Sequence, residues 1–149
     1  MTVYRERLWA SAWLYLAMAL VIPASLLVFL PISVTVGIAV AAVLYAGCVG
    51  ILILASPTIV VTDTTFTAGR ATLPLSLAGE ARAFREPEST LERGRNLDAR
   101  AWLLIRGWIG PVVKIEIKDP QDPTPYWLVS SRHPEKLAAA VMQRPAQAR

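Results

Sequence analysis

The chain has 149 residues, a net charge of +4, one cysteine, Cys48, and one histidine, His133. A single cysteine excludes an intrachain disulfide, and one cysteine with one distant histidine argues against a transition-metal site within one subunit. Its 15 basic and 11 acidic residues are interspersed, without the basic patch or groove-reading motif of a nucleic-acid-binding protein, so we expect no cofactor, no metal and no nucleic acid.

The first third of the chain carries the strongest pattern. Residues 8–62 contain no Asp, Glu, Lys, Arg or His. One crossing of a bilayer takes about 20 apolar residues, so this stretch predicts two transmembrane helices, at about 8–30 and 34–55. A cleaved secretory signal is the alternative, but its apolar region is only about 7–15 residues long, whereas here apolar sequence continues past Pro31. We therefore predict a retained two-span hairpin.

The arginines next to these spans predict their orientation. Arg5 and Arg7 precede the first span and Arg70 follows the second, whereas the connection at 31–33 is uncharged. Lys and Arg are enriched on the cytoplasmic side of membrane proteins. We therefore predict a multi-pass protein of the plasma membrane with both termini in the cytoplasm, residues 1–7 forming the cytoplasmic N-terminus.

Small residues recur along the second span, among them Gly37, Gly47 and Gly50. Glycine lets another helix approach closely within a bilayer. The neighbouring helix is either the first span or a helix of another chain, in a homo-oligomer or with a membrane-protein partner.

The remaining residues, 56–149, contain 13 of the 15 basic and 10 of the 11 acidic side chains and are predicted to form one cytoplasmic β-rich domain. Short β-branched or alternating segments indicate a series of strands, with 101–105 and 112–118 as the central hairpin. Residues 85–96 are predicted to be a long loop, either flexible or functional, with room for one helical turn. Pro134 opens a predicted helix at about 134–143.

These elements predict a membrane α-helical hairpin plus a small α+β domain, in which an antiparallel bent sheet is capped by a C-terminal helix. The arrangement resembles the pleckstrin-homology-like domains of small bacterial membrane proteins. A resemblance at the level of fold implies a shape and not an activity.

Three segments carry a second resemblance: YRERLW at 4–9, NLDARA at 96–101 and DPQDPTPYWLVSSR at 119–132. Together they resemble the domain of unknown function 3093 family, small two-span membrane proteins of high-GC Gram-positive bacteria. The Asp-Pro-x-Asp-Pro-Thr-Pro-Tyr-Trp stretch is the most specific of the three. The resemblance supports the membrane topology and implies no activity.

Candidate site residues form two groups. Trp and Arg are enriched in interface hot spots, so aromatic and arginine side chains are predicted to contact a protein partner or lipid. The members of this group are Trp108, Arg106, Arg70, Arg82, Arg132 and Tyr126. For Trp108, packing in the core is the alternative. The second group is a candidate acidic cluster for acid catalysis or cation binding, with turn formation or ion pairing as the alternative. Its members are Asp98, Asp119 and Asp122.

We therefore predict a membrane-anchored, non-enzymatic interaction module that binds a protein partner or organises a membrane complex at the cytoplasmic face. One alternative is binding of anionic lipid headgroups by the β domain, with four arginines as the binding charges: Arg70, Arg82, Arg106 and Arg132. The other alternative is an enzyme acting on lipid or envelope precursors through the carboxylates of the acidic cluster. No catalytic residue is assigned.

Overall fold

A computed structural model describes residues 1–143, so the last six residues of the predicted β domain lie outside the described residues. The chain forms two compact units. One unit is Trp9–Ser56, and the other combines Met1–Leu8 with the chain from Pro57 onward. We refer to the second unit as the β domain.

The first unit is a helical hairpin. Helices α1 (Ala12–Met18) and α2 (Val21–Phe29) together form one apolar stretch, and α3 (Val34–Leu54) forms the other. Both stretches, 18 and 21 residues long, are long and apolar enough to cross a membrane. The first helix begins at Ala12, later than the predicted start, because Leu8 is fully buried in the β domain.

The glycines of α3 have different surroundings. A Cβ added at Gly37 would lie 3.2 Å from Cβ of Phe29 in α2, so Gly37 permits the close contact between the two spans. Added Cβ atoms at Gly47 and Gly50 would meet nothing within 4 Å. The first span therefore fills the role of the neighbouring helix at Gly37.

Sheet A contains four antiparallel strands in the order β1-β2-β3-β4. They are β1 (Thr2–Arg7), β2 (Thr58–Thr62), β3 (Thr65–Ala68) and β4 (Ala71–Pro74). No strand or helix was predicted for residues 1–7, yet Thr2–Arg7 forms the edge strand β1. Its inward side chains, Tyr4 and Glu6, are polar, and so the strand shows no hydrophobic alternation.

Sheet B has the order β5-β7-β8-β6. Its strands are β5 (Ala78–Phe84), β6 (Trp102–Leu104), β7 (Val112–Ile117) and β8 (Tyr126–Ser130). The predicted hairpin of 101–105 with 112–118 is wrong, because β8 lies between β6 and β7 and pairs parallel with β6. All five residues of β8 are buried, as expected of a central strand.

The two sheets and helix α5 (Pro134–Met142) enclose the main core. Phe66, Ile115 and Val129 come from the strands, and Leu137 comes from α5. The coarse prediction of two apolar helices followed by antiparallel strands and a C-terminal helix is confirmed, apart from the parallel pair β6–β8.

The predicted long loop after β5 contains helix α4 (Glu88–Arg93). After α4, Leu97 and Ala101 pack with Phe84 of β5 against a second, smaller cluster of Val112, Tyr126 and Leu128. This segment therefore covers part of the outer face of sheet B. Within the predicted loop itself, helix α4 and the burial of Ser89 and Glu92 argue against a purely flexible segment.

Candidate functional site

The strands of the β domain run between two ends. At one end Leu8 and Pro57 precede and follow the apolar hairpin, and the Leu8 N–H donates to the Pro57 carbonyl at 2.9 Å. We call this the attached end. The opposite end carries the β2–β3 turn at Asp63 and the β7–β8 connection, residues 118–125, and we call it the distal end.

The attached end includes the turn between β3 and β4. The Gly69 N–H donates to the Thr58 carbonyl at 2.9 Å, and a Cβ built on Gly69 would lie 3.5 Å from Cβ of Pro57. Gly69 has φ of 63°, a conformation that glycine adopts without the usual steric cost. The next residue, Arg70, is exposed, and it forms no ion pair with any residue in the range 1–143.

A second turn, after β6, lies at the same end. It is closed by a 2.9 Å hydrogen bond from the Ile109 N–H to the Arg106 carbonyl. The Arg106 N–H donates to Ser130 Oγ at 3.0 Å, and the guanidinium donates to the Ile105 carbonyl at 2.9 Å. Trp108 packs against the main core and donates from Nε1 to the Leu8 carbonyl at 3.2 Å. The Trp108 ring is thus engaged within the domain, beside the point where β1 ends.

Glu6 joins β1 to the segment before α5. Its carboxylate accepts hydrogen bonds from the Tyr4 hydroxyl at 2.7 Å, Ser131 Oγ at 2.6 Å and the Arg132 N–H at 2.8 Å. Ser131 is fully buried, and its Oγ also accepts from the His133 N–H at 3.1 Å. Burial, together with the hydrogen bond to Glu6, raises the pKa of Tyr4 to about 12. We call Tyr4, Glu6, Ser131 and Arg132 the Glu6 cluster.

The Glu6 cluster was not predicted from the sequence because two of its members, Tyr4 and Glu6, lie more than a hundred residues before the other two, Ser131 and Arg132. The available signal was that two of the family-like segments, 4–9 and 119–132, each contain part of it. The cluster also places Arg132 beside β1 at the attached end.

Two other predicted residues, Arg82 and Tyr126, lie on the outer face of sheet B. Arg82 pairs with Glu80 at 2.8 Å. Tyr126 is buried, with Lys114 Nζ 4.2 Å from its ring centroid and its hydroxyl accepting from the Asp98 N–H at 2.7 Å. The structure therefore separates these two residues from the arginines of the attached end.

A cleft of about 200 Å³ lies between α4 and strands β5 and β7. The buried Glu92 pairs with Lys114 at 2.9 Å on one wall. Burial opposes ionisation of Glu92, but hydrogen bonds from Lys114 and Asn96 lower its pKa overall. Most of the charged side chains that line the cleft are thus paired with one another. The lining residues are Glu80, Arg82, Phe84, Glu92, Lys114 and Glu116.

The three carboxylates of the predicted acidic cluster all serve turns. Asp98 accepts from the Arg100 N–H at 2.8 Å, and its ion pair with that guanidinium lowers the pKa of Asp98 to about 2. Asp119 accepts from the N–H of residue 121 at 2.9 Å, and Asp122 accepts from the N–H of residue 124 at 2.9 Å. Among the described residues, no three His, Cys, Asp or Glu side chains are arranged to hold a metal ion.

The topology places the aspartates and several arginines at opposite ends of the strands. All four aspartates of the chain lie at the distal end, in turns or next to strand starts: Asp63, Asp98, Asp119 and Asp122. Five arginines follow or join strands at the attached end: Arg7, Arg70, Arg85, Arg106 and Arg132. Two of the aspartates are neutralised locally, Asp63 by the amino group of Met1 and Asp98 by Arg100.

Comparison with known proteins identifies a family. The family described as "Protein of unknown function (DUF3093)" matches residues 3–141, nearly the whole chain. The chain belongs to this family. No curated protein and no solved structure matches it.

Proposed function

We propose that this member of the DUF3093 family is a membrane-anchored, non-enzymatic interaction module whose β domain binds a protein partner at the cytoplasmic face of the plasma membrane. The observation that carries the proposal is the conformation of residues 119–125, the distal loop. This loop contains the most specific stretch of the sequence.

The distal loop is held in one conformation. Asp119 and Asp122 each accept a backbone N–H two residues further on, at 2.9 Å. The Ile117 N–H donates to the Pro125 carbonyl at 3.1 Å and closes the base of the loop. Three prolines, at positions 120, 123 and 125, fix the backbone φ angle. Such a loop has little conformational entropy left to lose on binding.

The distal loop is also accessible. Residues 120–123, which include Asp122, are exposed. Binding residues are disproportionately found on loops that a rigid scaffold positions. A partner with a basic surface would complement the loop, and its binding would weaken with salt.

The attachment of the β domain supports an anchored module. Neighbouring strands β1 and β2 continue into the two apolar stretches through connections of only a few residues. Two adjacent short connections restrict the domain more than one flexible linker would. The cytoplasmic orientation is part of the proposal and is supported by the arginines that flank the spans.

The shape and the absence of catalysis are further parts of the proposal. Two sheets with a C-terminal helix over the core support a pleckstrin-homology-like shape. The turn-forming roles of Asp98, Asp119 and Asp122 support structural rather than catalytic carboxylates.

The test is crosslinking of the full chain in its native membrane, followed by mass spectrometry. We expect a stoichiometric partner protein whose crosslinks map to the distal loop. Asp122→Lys removes the carboxylate that accepts from the N–H of residue 124 and reverses the charge at this position. The substitution should reduce recovery of the partner at least tenfold. Glu116→Lys is the matched control, because Glu116 is exposed on the outer face of sheet B.

A second loop variant, Pro120→Gly with Pro123→Gly, loosens the loop without changing its charge, and it should also reduce recovery. Recovery that neither loop variant changes, or that Glu116→Lys reduces equally, would contradict the proposal.

A further inference from the structure

We propose that the attached end of the β domain binds the phosphate groups of anionic lipids, with Arg70 as the principal contact. This is a second binding surface, separate from the distal loop. It rests on the arginines gathered at the attached end and on the geometry of the β3–β4 turn.

The arginines of the attached end are brought together by contacts within the β domain. Leu104 of β6 would lie 3.6 Å from a Cβ on Gly69, which places the end of β6 beside the Arg70 turn. Trp108 bonds to the Leu8 carbonyl, next to Arg7, and Glu6 bonds to the Arg132 N–H. Residues that are far apart in sequence therefore share this end.

Three carboxylates at this end are engaged within the β domain. Glu86, which lies beside Gly110 in the β6–β7 connection, is paired with Arg93 at 2.6 Å. The carboxylate of Glu6 is directed to the Ser131 hydroxyl and the Arg132 N–H. Glu135 is bonded bidentately by Arg85, at 2.6 and 2.8 Å. This leaves the exposed guanidinium of Arg70 as a donor for an external anion. Guanidinium donors form strong, charge-assisted hydrogen bonds with phosphate.

Chain connectivity identifies the source of the phosphate. Pro57 lies against the Arg70 turn and follows Leu54, the last residue of α3, by three residues. Three residues span at most about 11 Å. Chain connectivity therefore keeps Pro57 close to the end of the second apolar stretch, and this favours a lipid headgroup as the source of the phosphate. An arginine near an anionic leaflet strengthens association by roughly fivefold.

The test uses the full chain in nanodiscs of phosphatidylcholine alone or with about one third phosphatidylglycerol. Amide hydrogen exchange of the peptide that contains the β3–β4 turn reports contact there. We expect phosphatidylglycerol to slow this exchange at least threefold at low salt. High salt should remove the effect, because it screens exposed charges.

Arg70→Glu should abolish the protection, and Arg70→Gln should weaken it. Arg95→Glu is the matched control, since Arg95 is exposed and precedes Asn96, whose carbonyl accepts from Tyr126 at the distal end. Circular dichroism of each variant establishes that it folds.

Equal exchange in the two kinds of nanodisc would overturn the proposal. Protection by dissolved inorganic phosphate in phosphatidylcholine nanodiscs would also overturn it, because the ligand would then be free phosphate. A loss of protection in Arg95→Glu as large as in Arg70→Glu would mean that net charge, and not the attached end, is responsible.

Discussion

A fragment that begins at Pro57 is expected not to fold, whereas a chain in which a short glycine-serine linker replaces Trp9–Ser56 is expected to fold as a soluble β domain. The fragment lacks β1, which pairs along β2, and it lacks the fully buried Leu8 that follows β1. Burial of one leucine side chain contributes about 1.5–3 kcal/mol, and charge-assisted hydrogen bonds such as those of Glu6 contribute about 1.5–3 kcal/mol each. These losses approach the whole stability of a small domain, which is about 5–15 kcal/mol.

A short linker can join Leu8 to Pro57 because the Leu8 nitrogen and the Pro57 carbonyl oxygen are only 2.9 Å apart. Two-dimensional NMR spectra of the two proteins provide the comparison. We expect dispersed amide signals from the linked chain and collapsed signals from the fragment. Equally dispersed spectra would show that β1 is dispensable.

Glu6→Ala is expected to lower the free energy of unfolding of the linked chain by about 3 kcal/mol. The substitution leaves the fully buried Ser131 hydroxyl and the Arg132 N–H without their acceptor. Glu6→Gln keeps an acceptor oxygen but removes the charge, so we expect a smaller loss of about 1–2 kcal/mol. Urea unfolding followed by circular dichroism measures both values.

Glu116→Ala provides the control for Glu6, because Glu116 is an exposed glutamate on β7. Exposed substitutions of this kind usually change stability by less than about 0.5 kcal/mol. If Glu6→Ala were as mild as Glu116→Ala, the Glu6 cluster would not join β1 to the segment before α5.

Features with local physical causes could be predicted from the sequence. The uncharged run indicated the apolar hairpin, and Pro134 indicated the start of α5. The alternating pattern of residues 112–118 indicated a strand, and in β7 Val113 and Ile115 are buried and Glu116 is exposed.

Features that depend on non-local pairing could not be predicted. Strand β1 was missed because Tyr4 and Glu6 occupy inward positions that normally hold apolar residues. The parallel pairing of β6 with β8 depends on a connection that contains Trp108, whose ring packs against the core. Among the arginines predicted as site residues, Arg70 lies at the attached end and Arg82 lies on the outer face of sheet B. Only the pairing of the strands distinguishes these two positions.

The central claim, that residues before the first span complete the β domain, is tested most directly by disulfide formation in native membranes. Arg5 lies directly opposite Val60 in the register of β1 and β2. Opposite residues of antiparallel strands have Cα atoms about 4.5–5.5 Å apart, within the range of a disulfide. With Cys48→Ser as background, Arg5→Cys with Val60→Cys should form an intrachain disulfide on mild oxidation, detected in linked peptides by mass spectrometry.

The control pair, Arg5→Cys with Thr64→Cys, should not crosslink, because Thr64 lies beyond the end of β2. A failure of the first pair to crosslink, with both thiols still reactive towards an alkylating reagent, would contradict the account.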